Sequence, residues 1–204
     1  GEITRHYVLI DYAARWTGGE PVAGDDADEA RFVSRDEAMA MVEWDETEAA
    51  AWFTRRPGWD GFGSLVLWAA YAEHPTLRLP DILPEEWDHD VALMRSTAEG
   101  FRSRYSHLVR HAELGLPSPF LFTFDGEDVG GHRVVIGSAP TLRRQLADLN
   151  AATWKAVDGV VAGWGRKPPP DKAPLEARAR YGFAAMVQAA QHAVDRRLPM
   201  KLDY

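Results

Sequence analysis

Residues 87–112 read WDHDVALMRSTAEGFRSRYSHLVRHA. In this stretch Trp87, Val91, Met94, Ala98, Phe101, Tyr105, Leu108 and Ala112 recur at alternating intervals of four and three residues, the spacing that lines one face of an α-helix. It predicts a long helix with one continuous apolar seam. Gly100 lies beside that seam and costs about 1 kcal/mol relative to Ala in a helix interior, which marks a place for a kink or a close packing contact. Gly115 and Pro117 end the run.

Helical signals continue on both sides of this segment. Residues 62–73 form a short apolar stretch stopped by His74-Pro75, and Pro80 and Pro84 hold an extended connector after it. Downstream, Phe120, Leu121, Phe122 and Phe124 face Val134 to Ile136 across Gly130-Gly131, predicting a β-hairpin near 119–137. Ser138 followed by Pro140 opens a helix whose buried face carries Leu142, Leu146 and Leu149. GRKPPPDKAP at 165–174 is a Pro-rich linker, since consecutive prolines favour an extended, semi-rigid spacer. A last helix over 175–196 presents Phe183, Met186, Val187, Ala190 and Val194 to the core.

The first fifty residues have a different character. Residues 5–15, RHYVLIDYAAR, alternate apolar residues on both faces as a strand buried on two sides does. Gly18-Gly19 breaks the run, an acidic loop follows, and Ser34 with Glu37 has the spacing of a capping box ahead of a helix over 35–42. Of the 31 acidic and 23 basic residues, residues 1–50 hold 13 and 4, a balance of −9 against +1 for the rest. That step divides the chain into a unit at 1–48 and a mainly helical unit at 49–204. The predicted fold class is α+β: a small β-rich N-terminal segment, then a mainly helical region with an inserted hairpin.

Composition narrows the function classes. A net charge of −8, with no basic run, opposes sequence-independent nucleic-acid binding, which depends on clustered Lys and Arg. The absence of cysteine removes disulfides, thiolate nucleophiles and Cys-type metal sites and fits a reducing cytoplasm. The longest apolar stretch, residues 65–72, is far short of the roughly 20 residues that cross a bilayer, so no membrane span is expected.

The pattern RHYVLIDYAARWTGGEPVAGDDADEARFVSRDEA resembles the second half of a Nudix hydrolase domain, over residues 3–46. The resemblance implies hydrolysis of nucleoside diphosphates linked to another group, with Mg²⁺ held by the glutamates of the Nudix box. That box would lie upstream of the strand at 5–15, where this chain begins at Gly1, and no Arg-Glu pair followed two residues later by Glu-Glu occurs elsewhere. The expectation is therefore a Nudix-related chain that is inactive as it stands. It is a piece of a longer enzyme, a non-catalytic relative, or a coincidence of strand-turn-strand composition.

The alternative is a binding or regulatory module. Such a module would recognise a protein or a nucleotide-type small molecule through an aromatic-lined surface. The eight tryptophans favour this reading, since Trp16, Trp44, Trp52, Trp59 and Trp87 fall near element ends. Tyr12, Trp16, Trp44, Asp45 and Trp87 are the candidate substrate- or partner-binding residues. His107 and His111, four apart on the predicted helix, are candidate metal ligands, because i and i+4 histidines share a helical face. The acids around Trp87, which are Glu85, Glu86, Asp88 and Asp90, suit a helix start, where they complement the dipole.

Overall fold

The structure is a computed structural model that describes residues 57–127 and 132–202. The predicted strand at 5–15, the capping box at Ser34, the Nudix-like pattern and the boundary near residue 48 lie outside these residues, as do Tyr12, Trp16, Trp44 and Asp45. The described residues form an α+β body of six α-helices and one four-stranded sheet.

Helix α1, Gly58–Glu73, is buried nearly all round: Phe62, Leu65, Val66, Leu67, Ala69 and Ala70 are all in the core. A helix apolar on every face belongs at the centre of a domain, and here the other helices pack around it. Its end follows the sequence: His74 caps it, and Pro75 cannot continue it.

The long helix α6, Leu175–Arg196, crosses α1 where two glycines meet. A Cβ built on Gly182 would stand 2.2 Å from the Gly61 carbonyl oxygen. The two backbones touch only because Gly182 carries no side chain; a Cβ on Gly61 would meet nothing closer than 3.4 Å. The crossing is clasped by an ion pair from Arg178 of α6 to Asp60 of α1.

The expected helix over 87–112 is divided. A 3₁₀ turn at Trp87–His89 leads to α2, Val91–Glu99, then to a second 3₁₀ turn at Gly100–Arg102 and to α3, Ser106–Val109. Two residues impose the divisions. Asp90 is extended, and its carboxylate accepts from the Ala92 amide, so it starts α2 as an N-cap. Gly100 stands at φ +60, ψ −128 and ends it, a conformation that glycine reaches without a Cβ penalty. The seam accordingly holds at its ends, where Trp87, Tyr105, Leu108 and Ala112 are buried, and fails in the middle, where Val91, Met94 and Ala98 are exposed.

The chain then enters a sheet of order β2-β3-β1-β4. Strand β1, Leu114–Leu116, pairs parallel with β3, Arg133–Ser138, while β2, Phe124–Glu127, and β4, Met200–Lys201, are antiparallel to their neighbours. The hairpin predicted near 119–137 is the β2-β3 pair, with Phe124 opposite Ile136. Its first arm starts at Phe124. The rings of Phe120 and Phe122 pack against Phe124 in an aromatic cluster, with Phe120 and Phe124 lying on Leu116, Val134 and Ile136. Gly115 and Gly137 lie on the opposite face, where Met200, Ala139, Ala112 and His107 approach the backbone closely.

Helix α4, Ala139–Ala152, opens as expected: the Ser138 hydroxyl accepts from the Thr141 amide, Pro140 sits in the first turn, and Leu142, Leu146 and Leu149 are buried. A short helix α5, Asp158–Trp164, follows without any sequence expectation behind it. Residues 165–174 carry no helix or strand, yet they join elements that are packed together. Trp164 before them and Phe183 after them stand 6.2 Å apart, edge to face.

Candidate functional site

Helix α2 carries apolar residues on both its faces. Its buried face includes Ser96, fully enclosed, while Val91 and Met94 are 50% and 55% exposed. Ser96 is inside because it serves the half-buried carboxylate of Glu73. Its hydroxyl donates to Glu73 Oε2 at 2.6 Å, and Ser103 Oγ and the Arg104 amide donate to the same carboxylate. His74 Nε2 lies 3.2 Å from Ser96 Oγ. With the serine proton committed to Glu73, the imidazole must be the donor in that contact.

A Ser, a His and a Glu thus meet, but in the wrong order for nucleophilic catalysis. The hydroxyl bridges acid and imidazole, whereas an activated serine needs the imidazole between hydroxyl and acid. Ser96 is also closed to solvent. The cluster is a latch that ties the end of α1 to α2 and to the 100–104 turn.

The consequence appears on the other side of α2. Between α2 and the turn after α3 lies an open groove of about 340 Å³, lined by Asp88, Leu93, Met94, Thr97, Val109, Arg110 and His111. Leu93 and Val109 are buried floor residues, and Met94 stands at the exposed rim. Asp88 and Arg110 bring opposite charges to this surface, and Thr97 adds a hydroxyl that donates to the Val109 carbonyl at 3.4 Å. The groove is open and mainly apolar, with a few polar groups along it.

His111 closes one wall. It adopts φ +52, a left-handed conformation uncommon for a non-glycine residue. Its ring is held by aromatic neighbours, with Trp87 at 5.2 Å and Phe62 edge-on at 5.8 Å. Burial lowers its pKa, opposed by the nearby negative charge of Asp88.

The expected His107–His111 pair is not formed as a chelating face. Helix α3 ends at Val109, so His111 lies beyond the helix that contains His107. His107 points instead to the sheet, where its Cδ2 would meet a Cβ on Gly137 at 2.7 Å. Its amide donates to Gln145 Oε1 at 3.0 Å, and Gln145 Nε2 donates to Ser106 Oγ at 3.0 Å. Burial, reinforced by the positive charge of Arg144, pushes the His107 pKa down to about 4, so the ring is neutral at pH 7. Among the described residues, no three His, Asp or Glu side chains are grouped to hold a metal ion.

Trp87 is not a partner-facing aromatic. It is buried, and its indole lies flat against α1 at Gly63, where a Cβ would approach the ring to 2.6 Å. Trp59 rests on it at 5.2 Å and is half exposed. A second aromatic group joins α1, α5 and α6: Trp154 stacks on Trp68 at 5.2 Å and meets Trp164 and Phe183 edge to face. Its cation site is already filled by Arg180, 5.1 Å from the Trp164 ring centre and paired with Glu176 at 2.6 Å.

The groove residues Leu93, Thr97, Val109 and Arg110 were not legible as a site. One signal pointed to them. Residues 91–94 read Val-Ala-Leu-Met, apolar around most of a helical turn. A short helix of that kind covering one core leaves part of its apolar surface outside.

No helix among the described residues is long and apolar enough to cross a membrane. Comparison of the chain with protein families, curated proteins and solved structures finds no match.

Proposed function

We propose that the body at 57–202 is a binding module whose site is the groove beside α2, and that its ligand is a small organic anion with an apolar body. The observation that carries this reading is the outer face of α2. Val91, Met94 and Ala98 form an exposed apolar stripe at helical spacing, and Met94 of that stripe lines a concavity that Arg110 also lines. Exposed apolar surface bordered by polar groups marks interaction sites on soluble proteins. Arg110 supplies the positive charge for an acidic end group, and Leu93, Met94 and Val109 supply the apolar contact. A hydrolytic role for the Nudix-like residues 3–46 is a separate reading that depends on a Nudix box and Mg²⁺, and nothing in the groove supports it.

Anilinonaphthalene sulfonate, an apolar ring system with an anionic group, is a suitable probe. Titration of the full chain, followed by probe fluorescence and by calorimetry, is expected to show one saturable site. Arg110→Ala is expected to weaken it about tenfold, in line with the loss of one charge-assisted contact. Non-saturable binding, or identical affinity in the Arg110 variant, contradicts the proposal.

A further inference from the structure

The rim of the groove carries a side chain whose chemistry can change after folding. Met94 is 55% exposed and lines the groove, whereas Met186 and Met200 are 1% and 6% exposed in the core. A thioether reacts with peroxides in proportion to its accessibility, and the sulfoxide is polar where the thioether was apolar. In the step, a sulfur lone pair attacks the terminal peroxide oxygen, the O–O bond breaks as the S–O bond forms, and the proton on the transferred oxygen passes to the departing oxygen, which leaves as the alcohol, or as water from hydrogen peroxide. Sulfur loses two electrons and the peroxide gains them.

We propose that Met94 is an oxidative modification site, and that its conversion to the sulfoxide by a hydroperoxide closes the groove to apolar ligands. Among the described methionines, geometry makes the modification selective and tolerable. Met94 belongs to the outer face of α2, while the residues that hold that helix in place, Ala92, Leu93 and Ser96, are on the inner face. Oxidation therefore changes the chemistry of the rim without opening the core, whereas oxidation of Met186 or Met200 would insert a polar group among buried side chains. The effect on binding rests on the groove reading above; the site selectivity does not.

The test treats the folded full chain with hydrogen peroxide and follows each methionine by peptide mass spectrometry, with anilinonaphthalene sulfonate titrations before and after. Met94 is expected to oxidise at least about tenfold faster than Met186 and Met200, in keeping with the dependence of this chemistry on exposure. Probe affinity is expected to fall in the oxidised protein, and oxidation of Met94→Leu is expected to cause no fall relative to that variant's own untreated state. Equal oxidation rates at the three methionines overturn the selectivity. Oxidised Met94 with unchanged affinity, or an equal fall in the treated Leu variant, overturns the effect on the groove. Failure of the untreated protein to bind the probe overturns the groove reading and the closure with it, and the mass ratios then decide the modification alone.

Discussion

Single residues in this protein are placed by partners far away in sequence. Ser96 sits inside because Glu73, 23 positions earlier, needs a donor there. The half-buried Glu73 carboxylate keeps its donors from Ser103 and the Arg104 amide when the Ser96 hydroxyl is lost, so Ser96→Ala should lower the unfolding free energy by about 1 kcal/mol, measured by urea denaturation. A loss below about 0.5 kcal/mol would mean that the latch contributes no more than an ordinary surface contact. His107 makes a second residue-scale prediction. An ordinary histidine takes up its proton near pH 6.5, whereas folded His107 does so only near 4. The unfolded chain therefore binds more protons through that window. The stability that goes with a neutral His107 is complete above 6.5 and lost progressively as the pH falls towards 4, by about 2 kcal/mol between roughly pH 7 and pH 5. His111, also lowered, adds to the loss in the same direction. Replacing His107 by Leu should flatten the pH dependence of the urea midpoint, and an unchanged slope would refute the assignment. Neither the latch nor the neutral imidazole was legible in the sequence, since spacing along the chain carries no record of which side chains meet.

At the scale of elements, local signals served well wherever a helix met one core. The Ser138–Pro140 start of α4, the Pro75 stop of α1 and the full length of α6 were all readable, because caps, prolines and periodicity act within a few residues. The segment 87–112 departs from one long helix because a four-three repeat fits one long helix as well as two short ones turned apart by Gly100. Strand β1 and strand β4 were missed for a related reason: three and two residues carry no period of their own, and their strand state comes from pairing with distant segments. Close helix crossing was equally silent, since Gly61 and Gly182 are ordinary glycines until they face each other. Gly182→Ala should destabilise by about 3 kcal/mol, because the obstacle is backbone and cannot swing aside. Gly159→Ala on α5, where a Cβ meets nothing within 4 Å, should be neutral or stabilise by up to about 1 kcal/mol. Thermal unfolding of both variants checks the pair, and equal effects would show that the α1–α6 crossing is looser than the geometry requires.

For the molecule as a whole, the α+β class was legible from composition and the order of signals, whereas the site was not. Of the expected histidine pair, His107 packs against the sheet and His111 lines the groove, while the Trp87 indole packs against α1. The surface proposed for recognition is the outer face of α2 with its groove, where Val91, Met94 and Ala98 face outward while Ser96 is committed to Glu73 on the inner face. The most direct test is a backbone amide NMR titration of the full chain with anilinonaphthalene sulfonate. Saturable shifts concentrated at residues 88–98 and 109–111, with the Trp154 and Phe122 clusters unmoved, are the predicted result. Shifts centred on Phe122 or Trp154, or spread evenly over the chain, would contradict the assignment of the groove as the binding site.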